Sequence, residues 1–391
     1  MHVGILASHP IQYQAPWFRS LGRELDLEVF FAHRPDAEEQ SVGFGGAFEW
    51  DVDLLSGYQH SFLANRAQRP NSSHFFGCDT LELSNLIKRE RFNAFIVSGW
   101  NLKTYWQAVR ACRRERIPVL VRGDSQLTSS TAHLKRIAKQ LTYPFMLRQF
   151  DGFLSVGSRN RAYLRHYGVA DQKIFFVPHF VDNEWFALSA EEALPGRAEQ
   201  RMRWGAGPRT LIALFVGKFV QKKRPHDLLR AVGLVRDSNI DVMAVLVGSG
   251  ELENDLRAAA SDLGVRVAFE GFRNQTELPH YYAASDVLVL PSDGGETWGL
   301  VVNEAMACGR PAIVSDAVGC ARDLIEESRT GFTFPCGDTA ALAGRLCEVS
   351  DLSRNEFDFR PFLREKMQRY SAPTATEATV RAIHSVAGSA S

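Results

Sequence analysis

A chain of 391 residues exceeds what one ordinary hydrophobic core holds and suits two domains of somewhat under ~200 residues each. With 45% apolar and 23% charged residues and a formal net charge of zero, the composition is that of a globular protein and gives no reason to expect nucleic acid as a partner. The six cysteines, at 78, 112, 308, 320, 336 and 347, include no Cys-x-x-Cys pair and no zinc-like cluster with histidine, so reduced thiols and a cytoplasmic setting are expected. The opening Met1-His2-Val3-Gly4-Ile5-Leu6-Ala7 lacks the pattern of a signal peptide, and no apolar run approaches the ~18–20 residues of a spanning helix.

In chain order, short apolar segments at 3–7, 27–31, 94–98, 118–122, 152–156 and 174–177 predict strands, with helical patterns such as 106–116 and 160–167 between them. Residues 51–53, Asp-Val-Asp in "AFEWDVDLL", read as a strand with outward acids; the match to an Asp-x-Asp metal motif carries little weight. The stretch 101–150 is locally basic, with ten Lys or Arg residues against Glu115 and Asp124. Within it, 133–150 places Leu134, Ile137, Ala138, Leu141 and Phe145 on one helix face and Lys135, Arg136 and Lys139 on another, with Pro144 expected to kink or end the helix. Packing of the apolar face on the sheet is the simpler reading; docking at an anionic membrane surface is the other. The Ala-, Glu- and Gly-rich stretch 187–209 reads as a boundary. Beyond it, strands are predicted at 211–216, 242–247, 265–269, 287–290, 312–315 and 331–334. Strands alternating with helices imply an α/β protein of two doubly wound parallel sheets facing one cleft. The expected division is a domain at 1–187, a linker at 188–208, a second domain at 209–370 and a tail at 371–391 that crosses back to the first domain as a helix.

The most informative segment follows the strand at 287–290: Pro291-Ser292-Asp293-Gly294-Gly295-Glu296-Thr297-Trp298-Gly299-Leu300-Val301-Val302-Asn303-Glu304. A helix pattern begins near Trp298 and stops at Gly309-Arg310-Pro311. A strand, loop and helix start aims unpaired N–H groups into the crevice beyond the strand, where an anion is favoured. Glu296 and Glu304 flank that point. Carboxylates repel a phosphate but accept hydrogen bonds from sugar hydroxyls. A second segment, Val216-Gly217-Lys218-Phe219-Val220-Gln221-Lys222-Lys223-Arg224-Pro225, follows the first strand of the second domain, and its two cations Lys218 and Lys223 can converge on a diphosphate. Together the segments read as a nucleotide-sugar site.

The pair "VGKFVQKKRP…LLRAV" and "PSDGGETWGLVVNEAMACGRPAIVSD", with "LVGSGELENDLR", "VAFEGF" and "GFTFPCGD" in order, resembles the signature of the family 4 glycosyltransferases, retaining enzymes with the GT-B fold. The likeness is strong over about 174–345 and looser before it. It implies that Lys218 and Lys223, beside Gly217, hold the donor diphosphate, that Glu304 holds the ribose and that Glu296 meets the donor sugar with the amides around Trp298, Gly299 and Leu300. It also implies that Gly271, Phe272 and Arg273 cradle the nucleobase, largely through backbone atoms. His9 and Asp124, each after a strand end, are candidates on the acceptor side. Three departures concern that clamp and the acceptor side: a Lys where Arg is usual at 218, His9-Pro10-Ile11-Gln12 in place of a Gly-Gly pair, and no His after Arg122.

The implied reaction is metal-independent, retaining transfer from a nucleoside diphosphate sugar, with UDP-sugar favoured, to a glycan or lipid-linked acceptor in bacterial surface polysaccharide or glycoconjugate assembly. No cofactor beyond the donor is needed. The rival readings are another GT-B enzyme, such as a sugar-nucleotide epimerase, and a noncatalytic nucleotide-sugar binder. The implied setting is cytoplasmic, with peripheral docking at the inner face of the plasma membrane as its finer form.

Overall fold

The computed structural model describes residues 1–40, 48–127, 133–235 and 240–388. The chain divides into two compact units, one of residues 1–40, 53–179 and 372–391, the other of 41–52 and 180–371. In the first, strands β1 (His2–Ala7), β2 (Asp26–Phe31), β3 (Gln59–Phe62), β4 (Ala94–Val97), β5 (Val119–Gly123), β6 (Gly152–Ser155) and β7 (Ile174–Phe176) form a parallel sheet in the order β3-β2-β1-β4-β5-β6-β7. In the second, β8 (Leu211–Val216), β9 (Val242–Val247), β10 (Val267–Gly271), β11 (Val287–Leu290), β12 (Ala312–Ser315) and β13 (Gly331–Phe334) run parallel in the order β10-β9-β8-β11-β12-β13. The central strands β4, β8, β9, β11 and β12 are buried along their whole length, as expected where helices cover both faces of a parallel sheet. In each sheet the strand order reverses beside the first strand, between β1 and β4 and between β8 and β11. Ligands of such folds sit beyond the strand ends at that reversal.

Several expectations need correction. Strand β3 was not foreseen, because Gln59-His60-Ser61-Phe62 is a polar edge with no apolar alternation. No strand forms at 51–53; Asp51 accepts from the amide and hydroxyl of Thr276, and Asp53 closes a turn on the amides of Leu55 and Ser56. The expected linker at 188–208 is mostly helix, Asn183–Ala193 and Arg197–Arg203, packed on Leu278–Ala284 as part of the second unit, whose longer segment begins at Phe180. Residues 372–391 belong to the first unit: helix Ala372–Gly388 buries Ala375, Ala378, Ala382, Ile383 and Val386 against helix Ala15–Glu24 and strands β6 and β7.

Helix His133–Leu147 runs through Pro144 rather than ending at it. Its contact with the first core is made by Tyr143, Met146 and Leu147, and not by the face expected. Ile137, Leu141 and Phe145, one turn apart, are exposed at 41%, 67% and 67%. Leu134, Lys135 and Arg136 lie outside the residues whose side chains are described.

Arg122, at the end of β5, is buried and ties the sheet to the segment that leaves β7. It donates to the carbonyls of Val177 (2.9 Å) and Pro178 (3.1 Å) and lies over the Trp17 ring. Burial lowers its pKa to about 10. Arg122→Ala strands both carbonyls, at roughly 1–3 kcal/mol for each buried group left unpaired. Urea unfolding of the purified variant should show a midpoint shifted down accordingly; an unchanged midpoint would remove this anchor from the account.

Candidate functional site

Everything at the candidate donor site grows from the loops after β8 and β11, two neighbouring parallel strands. After β8, Gly217 adopts φ of +150°, and a Cβ on Gly248 would lie 2.0 Å from the Gly217 carbonyl oxygen. The loops after β8 and β9 therefore touch backbone to backbone, a contact only glycine permits. Phe219, 1% exposed, pins the first loop: its amide donates to Ser249 (2.8 Å) and its carbonyl accepts from Leu252 (3.0 Å). A single tight turn, Gln221–Lys223, brings Lys223 back over Gly217, where a Cβ would sit 3.7 Å from the Lys223 Cε. Arg224 then takes a left-handed conformation (φ 50°), held by its Nε donating to Asp227 at 2.6 Å, and Pro225 opens the helix Pro225–Val235 as its N-terminal signal predicts.

The loop after β11 folds against the first. Asp293 N donates to the Lys222 carbonyl (2.8 Å), and the Asp293 carboxylate accepts from Gly295 N (2.7 Å). Glu296 and Trp298 lend carbonyls to Gly319 N and Cys320 N, each at 3.0 Å. A Cβ on Gly319 would lie 1.7 Å from the Thr297 carbonyl oxygen, so here too two loops meet without a side chain between them. Gly299 has φ of +95°, and Trp298 Nε1 donates to Asn303 Oδ1 at 2.9 Å. The helix that follows, Val301–Ala307, starts later and is shorter than the sequence pattern suggested. What it offers is local amides rather than a large dipole.

The charges converge. Lys223 Nζ and Glu296 Oε2 form an ion pair, each side chain 14% exposed. The sequence assigned these residues to different parts of the donor; the structure couples them directly. Burial, then the proximity of Lys222 and Lys223, lowers the pKa of Lys218. The charges of Lys222 and Lys223 thus bear on Lys218, and Glu296 is the carboxylate paired with Lys223. Such a cluster favours a polyanion between its members.

The other predicted residues fare differently. Glu304 is fully buried, its Oε2 accepting from Tyr282 at 2.6 Å, so its carboxylate is not open to solvent as a hydroxyl acceptor should be. The Tyr282 partner carried no motif and was not foreseen. The Arg273 guanidinium is spent on Glu270 and Glu277. The Phe272 ring lies tilted against that of Phe48, centroids 4.3 Å apart, while Gly271 (φ +68°) has open space where a side chain would stand.

His9 and Asp124 belong to the first unit, after β1 and β5. His9 Nδ1 lies 3.0 Å from Ser8 Oγ, and burial, with His33 nearby, lowers its pKa to about 4 against the opposing pull of Glu39. It is therefore neutral at pH 7 and able to accept a proton only from an acid much stronger than a hydroxyl. Asp124 is partly exposed beside the buried Arg122, whose positive charge it supports.

Comparison with known proteins supplies the family context. Residues 196–369 match the model of glycosyl transferases group 1. The D-inositol 3-phosphate glycosyltransferase of Streptomyces bingchenggensis is 34% identical over 198 residues, covering 48% of this chain and 42% of that protein. The phosphatidyl-myo-inositol mannosyltransferase of Mycobacterium leprae is 31% identical over 181 residues, covering 46% and 47%. The chain thus spans less than half the length of the curated relatives it matches. Among solved structures, Anabaena Alr3699/HepE in complex with UDP superposes with a TM-score of 0.74 at 16% identity, over 98% of this chain and 100% of that one. The lipopolysaccharide outer core galactosyltransferase WaaB gives 0.69 at 18% identity, over 98% and 99%. The fold is GT-B, two Rossmann-like α/β units, and the family-model match lies within the second unit.

The depressed pKa of His9 has a stability consequence. Unfolded, it titrates near ~6.5; folded, near 4, so its contribution is complete above the first value and lost as pH falls through the second. The loss is about 3 kcal/mol by that linkage. Urea unfolding at pH 7 and pH 4.5 should show His9→Gln losing less stability on acidification than the parent; equal losses would contradict the burial argument.

Proposed function

We propose that the chain transfers a sugar from a nucleoside diphosphate sugar, a UDP-sugar, to a glycan or lipid-linked acceptor, with retention of anomeric configuration and without a metal. One observation carries this reading: Lys218, Lys222 and Lys223 gathered with Glu296 where the loops after β8 and β11 meet. The group 1 match over the same unit supports it, as do fold neighbours solved with UDP and with UDP-glucose.

In the proposed reaction the anomeric C–O bond breaks and its electron pair goes to the diphosphate. Lys218 and Lys223 offset the charge that develops there, from positions fixed before the donor arrives. Glu296 holds Lys223 in place and accepts from a donor-sugar hydroxyl with its remaining lone pairs. The acceptor hydroxyl attacks the face the diphosphate leaves and passes its proton to the departing phosphate. No side chain needs to form a covalent intermediate, which fits a site whose Lys223 is held by Glu296 before the donor arrives. A role in bacterial surface polysaccharide or glycoconjugate assembly is the setting this chemistry suits. Glu304 acts in this scheme on the ribose only if its Tyr282 bond yields to the incoming hydroxyl.

Removing one preorganised donor of this kind costs about 10²–10³ in rate. Lys223→Ala should therefore keep its circular dichroism and lose transfer from UDP-sugar by at least ~100-fold. Near-normal turnover would remove Lys223 from the chemistry. Release of free sugar without acceptor, or saturable UDP binding without turnover in the parent protein, would replace the transferase reading altogether.

The exposed row Ile137, Leu141 and Phe145, with Lys139 on the same helix, supports peripheral docking on an anionic membrane, where a lipid-linked acceptor would be found. Co-sedimentation with phosphatidylglycerol vesicles at low salt should be strong in the parent and weakened by Leu141→Glu with Phe145→Glu. A parent protein left in the supernatant would end this part of the proposal.

A further inference from the structure

At the opposite end of the second sheet, where β11 and β12 begin, lies a cavity of about 280 Å³. Its wall includes Arg310, between the helix Val301–Ala307 and β12. The Arg310 Nε is shielded from solvent and has no hydrogen-bond partner, and among the described residues its guanidinium makes no ion pair. An uncompensated cation in such a place is costly. Burial, then Arg197 nearby, lowers its pKa to about 10, with Asp286 opposing.

The neighbouring charges do not resolve the imbalance. Asp286 already pairs with two guanidiniums, Arg197 and Arg201, and accepts from Ile212 N at 2.8 Å. Asp286 is therefore already committed to two guanidiniums and makes no ion pair with Arg310. Arg360, paired with Asp358, and Arg364 line the same cavity from an exposed position and add positive charge at its edge. The planar fork of a guanidinium matches the oxygens of a phosphoryl group, two at a time. The volume exceeds that of a phosphate ion alone, and Glu191 and Ser353 in the same wall are suited to hydroxyl groups.

From this cavity and its unpaired Arg310 we infer a second ligand site, separate from the donor loops, that takes a small phosphomonoester of a polyol or sugar. Arg310 supplies the bidentate contact to the phosphoryl oxygens, Arg360 and Arg364 supply the surrounding field, and the ligand's hydroxyls meet Glu191 and Ser353. The site is independent of the transfer reaction proposed above, because none of its residues belongs to the loops after β8 and β11.

The test is ligand-induced stabilisation with inorganic phosphate and with glycerol phosphate, each against chloride at equal ionic strength. Both anions should raise the melting temperature of the parent and of Lys223→Ala, with glycerol phosphate the more effective. Arg310→Met should melt higher than the parent in chloride, since it removes a half-buried cation with no ion pair, and should lose the anion response. Calorimetric titration of the parent saturated with UDP gives a reading that does not depend on any variant; against it, Arg310→Gln should weaken glycerol phosphate binding by ~10–100-fold, the equivalent of a charge-assisted hydrogen bond. A response retained in the Arg310 variants, a response lost in Lys223→Ala, or no heat with UDP-saturated protein would each overturn the assignment. Phosphate binding with no preference for the ester would overturn the ligand class.

Discussion

The backbone bond from Asp293 N to the Lys222 carbonyl joins the loop after β11 to the loop after β8. Beside it, the Lys223–Glu296 ion pair crosses the same seam. Because the strands beneath are hydrogen-bonded neighbours buried on both faces, neither loop can drift without carrying its strand along. The Lys223 ammonium is thereby held in place before any ligand binds. That is the condition under which fixed charges help a reaction most, since no reorganisation is required when charge develops.

The close approaches at Gly217, Gly248 and Gly319 are how the fold achieves this. At Gly248 and Gly319 a loop carbonyl, that of Gly217 and that of Thr297, occupies the position a side chain would need. Loops that touch through backbone are located to within a fraction of an ångström by hard contact. Loops that touch through flexible side chains are not. The site is therefore rigid because it is poor in side chains, apart from the few that carry charge.

How far the sequence revealed all this depends on which physical signal each part leaves. Buried parallel strands leave continuous apolar runs, so β8, β9, β11, β12 and β13 could be placed with their observed bounds. The edge strand β3 leaves none, since Gln59 and His60 face water and only its pairing with β2 makes it a strand. The helix Val301–Ala307 was overestimated because Trp298 and Gly299 continue its apolar spacing but serve the turn before it. For the site, residue types and their distance from strand ends located Lys218, Lys223 and Glu296. Spacing could not tell that Lys223 and Glu296 would pair, nor that Glu304 would turn to Tyr282, twenty-two positions away in the chain. Arg310 stood in the same quoted segment as a mere helix terminator, and only its isolation in three dimensions gives it meaning.

The helix Ala372–Gly388 carries a consequence for how the protein is made. The Cβ that Gly152 lacks would press on Val386, so the sheet of the first unit has a groove shaped for the last helix of the chain. A ribosome delivers strands β1 to β7 early, then almost two hundred residues of the other unit, and only then the piece that covers β6 and β7. The unit of β1 to β7 is thus finished only once the helix Ala372–Gly388 has been made, and until then β6 and β7 keep bare apolar surface that the other unit has already covered on its own sheet.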